Sequence, residues 1–307
     1  MSEHFTASTT VNLEQNASAF AEVIAAAFGI VVREVASLFD FSVPSYSTAD
    51  LLKAVNQSVQ QLTSFNIGAL KAQFPSLSSH HLHTLAHTKA LLESIRTQPL
   101  VRIGIERLKA TEWETAQNFW AITEQRLRRS EVTEAVNSAQ RVRRLLSSGL
   151  KEVQNRLSNA QHNYVASSAI QVLREMGYQV QVARSSVGSW TSVWATKGGK
   201  AIGVVISPQS QMTVDMMGWE GTSCQAELIS FRERMKKRGI QFREGKRYLH
   251  RRREGGALLQ QASKLVKSSG LTFPEALLHV VQGNLRSDQR RRQAATILLH
   301  QRQKEGL

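Results

Sequence analysis

The chain has 307 residues, of which 41% are hydrophobic, and its 39 Lys and Arg against 24 Asp and Glu give a net charge of +15. That is apolar material enough for a core and length enough for two domains, while a single cysteine excludes an internal disulfide. No basic run precedes an apolar region at the start, which argues against a secretory signal. The apolar run 23–32, bounded by Glu22 and Arg33, is too short to span a bilayer, so a soluble cytoplasmic protein with no membrane role is expected.

Residues 1–16 are polar, rich in Ser and Thr and without period, and are expected to be frayed. An alanine-rich helix follows over 17–39, apolar on most of its surface, and Pro44 ends that segment. Thr48 or Asp50 can cap the next helix, 51–74, whose stripe is Leu52, Val55, Val59 and Leu62. Pro75 and Pro99 bracket a third, so residues 1–100 read as a helical bundle or docking region. On that third helix His80, His83 and His87 fall along one face beside His81, and two imidazoles there could share a zinc ion. No further ligand set with a recognisable spacing answers them. A surface or partner-facing histidine patch is the expectation, and no metal is assigned.

Residues 101–163 read as a long helix or coiled coil. Val132, Ala135, Ala139, Val142 and Leu146 recur at alternating steps of three and four. Leu150 breaks the step, and Val153, Leu157, Ala160 and Tyr164 resume it, a heptad pattern with a stutter. Such a stripe fits an ordinary bundle helix or a homo-oligomer made through the coiled coil. Arg126, Arg128, Arg129, Arg141, Arg143 and Arg144 are expected on its solvated face.

Residues 164–240 read as a small α+β module. A helix bearing Val165, Ala169, Val172 and Met176 ends at Gly177, and four strands of period-two alternation follow over 178–184, 190–196, 201–206 and 211–217. Lys197-Gly-Gly-Lys200 and Ser207-Pro-Gln-Ser210 supply turns between them. Trp190, Trp194 and Trp219 read as core or as a partner face. Past Gly218 and Gly221, Thr222 with Gln225 forms a capping box for a helix whose stripe is Cys224, Leu228, Phe231 and Met235, closed by Gly239. The fold class is therefore α+β, with a helical N-terminal half, a long central helix, a four-stranded antiparallel sheet flanked by helices, and a basic helical tail over 241–307. In that tail Gly270 separates two helices as in a helix-turn-helix, and a last helix opens at Ser287.

The charge is polarised. Residues 1–100 hold 5 Lys and Arg against 7 acids, whereas 232–307 hold 19 against 6. A one-ended positive field suits counterion release from a polyanion. Arg232, Arg234, Lys236, Lys237, Arg251, Arg252, Arg253, Arg290, Arg291 and Arg292 are the expected phosphate contacts, giving affinity without choice of sequence.

Catalytic signals are faint. Cys224 opens a helix, where the dipole lowers a thiol pKa, but it shares the apolar stripe and reads as a buried structural cysteine. Asp215, Glu220 and the Glu244-Gly-Lys246 triplet resemble a nuclease carboxylate and Glu-x-Lys set, except that a whole helix intervenes. Lys197-Gly-Gly-Lys200 lacks Walker spacing and precedes no helix, so a hairpin turn explains it. No catalytic residue and no cofactor is assigned.

The run Ile202-Gly-Val-Val-Ile-Ser-Pro208, Thr213-Val-Asp215 and Gly218-Trp-Glu-Gly-Thr-Ser-Cys224, with the charged helix after it, resembles a small bacterial family of unknown function often found near AAA-type ATPases. The resemblance covers about residues 200–239 and implies an accessory module working beside an AAA-type ATPase. The expected function is a non-catalytic adaptor that binds a protein partner through its helical half and nucleic acid through its basic C-terminal region. The alternatives are a structural or assembly subunit of an ATPase-linked complex without a nucleic-acid role, and a divergent metal-dependent nuclease.

Overall fold

The computed structural model describes residues 2–33, 35, 47–60, 71–72, 74–75, 77–185, 189–219, 223–250, 256–284 and 287. The chain divides into two compact units: residues 10–161, and residues 1–9 with 162–307.

The first unit is helical. Helix α1 (Ala17–Phe28) starts where the Asn16 side chain accepts from the Ala19 N–H at 2.9 Å, and it buries Phe20, Ile24 and Phe28. It stops at Gly29, whose φ of 66° is left-handed, so the helix is shorter than the expected 17–39. Helix α2 (Thr48–Gln60) is capped by Ser47, whose hydroxyl accepts from the Asp50 N–H while the Asp50 carboxylate accepts from the Ser47 N–H. The cap therefore lies one residue ahead of the expected Thr48, with Asp50 completing a reciprocal box. Helices α3 (Ser79–Thr97) and α4 (Pro99–Leu108) follow, with Pro99 in the first turn of the latter. Helices α5 (Ala110–Arg128) and α6 (Val132–Glu175) complete the run.

The segment 101–163 is thus three helices rather than one, broken at Lys109 and again near Ser130, where φ is 60°. The heptad stripe of α6 is real, but its partners are in the same chain. Ala135, Ala139, Val142, Leu146, Leu150, Val153 and Leu157 are all buried, and a Cβ on Gly104 of α4 would come within 2.9 Å of the Phe28 ring and 3.1 Å of Val153. Gly104 lets three helices close on one another, and the stripe of a coiled coil is spent on that packing.

The second unit is α+β. Its sheet has six antiparallel strands rather than four, in the order β2-β3-β4-β5-β1-β6. Strands β2 (Gln179–Arg184), β3 (Thr191–Lys197), β4 (Lys200–Ile206) and β5 (Gln211–Met217) make the expected meander. The two added strands come from segments expected to be irregular or helical. Strand β1 (Ser2–Val11), expected frayed, pairs antiparallel with β5, placing Phe5 opposite Val214 and Ala7 opposite Met212. Strand β6 (Ile240–His250) replaces the start of the expected helical tail and is an edge of the sheet. The helix expected from Val165 to Met176 is the end of α6, which runs on without a break.

Helix α7 (Ser223–Lys237) buries Cys224, Leu228, Phe231 and Met235, the stripe expected of it. Gly239, with φ 77°, turns the chain from α7 into β6. Helix α8 (Ala257–Ser269) and a helix over 273–284, here α9, are packed on the sheet rather than forming a free tail. They cover Trp194, Ala201 and Val205 with Leu259, Ala262, Leu277 and Val281, and Phe273 stacks on Trp194 with ring centroids 3.8 Å apart. Gly203 is what lets them approach, since a Cβ there would lie 2.7 Å from both Leu259 Cδ2 and Leu277 Cδ2.

Candidate nucleic-acid interface

The α7–β6 hairpin gathers positive charge at one edge of the sheet. Residues 223–250 hold 8 Lys and Arg against 3 Glu. Burial of the Cys224, Leu228, Phe231 and Met235 stripe leaves the rest of α7 to solvent, and at about 100° per residue Arg232 and Lys236 flank that stripe on one side, Arg234 on the other, with Lys237 outward. Arg234, Lys236 and Lys237 are exposed, and Arg232 is half-buried. The four therefore fan over the free surface of α7 instead of forming one row.

Arg232 differs from the other three. Its guanidinium lies 5.9 Å from the Phe5 ring centre and 5.6 Å from that of Phe242, and the two rings meet edge to face at 6.1 Å. Strand β1 supplies one ring and strand β6 the other, so the sheet positions the cation from below. Arg238, which was not singled out in the sequence, is taken up structurally: it donates to Gln171 at 2.7 Å and pairs with Glu175. Arg243 is exposed on β6, with Lys246 and Arg247 farther along the same strand. Arg251, Arg252, Arg253, Arg290, Arg291 and Arg292 lie outside the described residues. Of the ten expected phosphate contacts the structure thus describes four, all on α7.

The other sequence candidates resolve differently. Cys224 is buried and unbonded to another cysteine. His80 and His83 are exposed on α3, whereas His87 is half-buried with its pKa held below the ordinary imidazole value by burial and by the nearby Arg143 cation. Among the described residues no three His, Cys, Asp or Glu side chains are grouped so as to hold a metal ion. Lys197 Nζ donates to the Met176 carbonyl at 2.7 Å and lies over the Tyr178 ring, and Lys200 lies over the Trp219 ring.

Asp215 is 1% exposed on β5, and its carboxylate accepts the N–H of Met216 at 3.0 Å and of Leu259 at 3.1 Å. Burial pushes its pKa up to about 6, opposed by those backbone hydrogen bonds. N–H groups point their positive ends at this carboxylate, which suits holding its own charge and not a cation. Glu220 lies outside the described residues.

One polar cluster carries no signal of spacing in the sequence. His162 of α6, 2% exposed, reaches the Ser207 carbonyl through Nδ1 at 2.9 Å and the Thr191 hydroxyl through Nε2 at 3.0 Å. A carbonyl only accepts, so Nδ1 carries the proton and Nε2 accepts from Thr191. Burial holds the pKa of His162 below the ordinary value, against the pull of the Ser207 carbonyl and with help from the Arg184 charge. The partners are 29 and 45 residues away, beyond the reach of any local motif. The histidine clamps the β4–β5 turn, which Thr9 also holds through the Ser210 carbonyl.

Among the described residues no helix is long and apolar enough to cross a membrane. Compared with known proteins, the chain matches no family model, no curated protein and no solved structure.

Proposed function

We propose that the protein is a non-catalytic adaptor that holds nucleic acid on the α7–β6 edge and a protein partner on its helical unit. The observation that carries this reading is the seat of Arg232 over Phe5 and Phe242, with Arg234, Lys236 and Lys237 exposed over the rest of the α7 surface. A guanidinium held by two rings loses little freedom on meeting a phosphate, and its planar fork suits bidentate contact with phosphate oxygens. The exposed lysines and arginines spread over α7 without a geometric pattern for base edges, which fits backbone contact without choice of sequence. A nuclease reading is disfavoured by the burial of Asp215 beneath backbone N–H donors.

The test is fluorescence anisotropy of labelled single-stranded and duplex DNA and RNA with the full chain over a salt series. Four or so phosphate contacts on this edge predict a slope of log affinity on log salt near about −3 to −4. Replacing Arg234, Lys236 and Lys237 together by Ser should flatten that slope by roughly 2 to 3. Absence of binding at low salt, or an unchanged slope in the triple variant, would dismiss this edge as the interface.

A further inference from the structure

We propose that edge strand β2 joins two copies of this chain, pairing antiparallel with its own counterpart across a two-fold axis at Gln181. The sheet has two edges, β2 and β6, and they are built differently. Strand β6 carries Arg243, Lys246 and Arg247, charges of the kind that keep a sheet edge from taking up another strand. Strand β2 holds no Pro, Gly, Lys or acidic residue, and its one charge, Arg184, stands at its end. All six of its residues pair in unbroken register with β3, and among the described residues no strand lies on its other side. Gln179, Gln181 and Val182 are exposed, Val182 by 39%, although valine is a residue of sheet interiors. A straight edge of this composition is a template for a further strand.

The backbone decides which groups face outward. The N–H of Ser185 donates to the Trp190 carbonyl at 3.0 Å, and Ser185 follows directly on the register that pairs Arg184 with Thr191. Backbone groups alternate along a strand, so Gln179, Gln181 and Ala183 bond to β3, while Val180, Val182 and Arg184 turn their N–H and C=O groups away from it. A second β2 fits these groups because the sequence about Gln181 reads the same in both directions, Val180-Gln181-Val182, as a two-fold joint requires. Val180 then stands opposite Val182 of the second copy and exchanges a pair of N–H···O bonds with it, symmetry repeats the pair, and Gln181 faces its own counterpart on the axis. Each exposed Val182 is covered by a valine on the same face. The two Arg184 side chains fall at opposite ends of the joint, about 20 Å apart and beyond the reach of screened repulsion, whereas the next symmetric register would set Val180 against Arg184. A single strand pair is a small interface, which suits a dimer of micromolar affinity. The α7–β6 edge lies at the other side of the sheet and stays free, so this inference does not rest on the nucleic-acid reading.

Sedimentation velocity of the full chain over a concentration series tests this, and the native protein should pass from monomer to dimer in the micromolar range. Val182→Pro removes only an N–H that points away from β3, so the circular dichroism should be kept while dimerisation weakens at least about tenfold. Should Val182→Pro fail to fold, Val182→Lys, which sets a charge in the joint, decides by the same loss. Register is read by oxidation. Counterparts on the axis have Cα atoms about 4.5 Å apart, within disulfide reach, so Gln181→Cys should form a covalent dimer. Gln179→Cys, on the same face but about 14 Å from its counterpart, should not. The native Cys224 is buried and does not compete. A monomer at every concentration, a dimer that Val182→Pro and Val182→Lys leave unchanged, or equal disulfide capture in the two cysteine variants would overturn the joint.

Discussion

Asp215 and Arg234 belong to the same α+β unit, and both carry charge at neutral pH, yet one is 1% exposed under α8 and the other stands in water on α7. The buried charge has every neighbour fixed. Its hydrogen bonds come from backbone, and the residue nearest to it has to be glycine. The exposed charge has freedom to meet a ligand and little influence on the fold. Substitution inside should therefore move stability and leave the proposed binding edge in place, while substitution outside should do the reverse. Gly256→Ala is the strongest way to break this division. The new methyl would evict a carboxylate that has no other site, leaving a buried charge without its N–H donors, at a cost of about 3 kcal/mol. Urea denaturation reads this directly, and a loss below about 0.5 kcal/mol would mean that Asp215 is not the seat of α8.

His162→Leu comes next. It leaves the Thr191 hydroxyl and one lone pair of the Ser207 carbonyl without partners in a closed interior, for about 2 kcal/mol. Smaller but more telling is the effect of pH. The folded-state pKa of His162 lies below its unfolded 6.5, so its contribution is complete above that value and fades as pH falls. Asp215 has the opposite sign: its folded-state value of about 6 exceeds the unfolded 3.8, so its contribution is complete below 3.8 and is lost as pH rises through about 6, roughly 3 kcal/mol in all. Between about pH 4 and 6.5 the two oppose each other. Asp215→Asn should therefore steepen the acid-side loss of stability, and His162→Leu should flatten it, in urea midpoints followed against pH. Equal profiles in the two variants would remove the comparison between an acid and a base inside one sheet.

Local order was legible where period and burial coincide. The α6 stripe from Ala135 to Leu157, the α7 stripe around Phe231 and the β2–β5 meander all show in the sequence, because one face of each is apolar and the other is not. Strand β1 hides its alternation, since Ala7 and Thr9 stand where larger apolar residues would announce a buried face. Strand β6 hides behind its own charge: Ile240 and Phe242 begin an alternation that Arg243, Lys246 and Arg247 obscure. The coiled-coil reading of α6 fails for a different reason. A heptad stripe states that something covers it, and only the fold says that the cover is in the same chain. At the candidate interface, α7 charge is plain in composition, whereas the pairing of Phe5 with Phe242 beneath Arg232 joins residues far apart in the chain and leaves no local trace.

The smallest expected effect sharpens the comparison most. Arg234, Lys236 and Lys237 are exposed, they crowd one another with like charge, and the helix they stand on is held by its buried stripe. Their joint replacement by Ser should change the urea midpoint by no more than about 0.5 kcal/mol in free energy, with the favourable position of cations near the helix C-terminus offset by relief of repulsion. The same variant is the one expected to lose most of the salt-dependent binding. Arg232→Ala stands between the classes, because its guanidinium packs on two rings while part of it still meets water. It should cost about 1 kcal/mol of stability and also weaken binding. A binding loss in Arg232→Ala that Arg232→Lys restores would assign the role to charge alone. A loss that Lys leaves unrepaired would assign it to the planar guanidinium, held flat by Phe5 and Phe242 and presented edge-on to a phosphate.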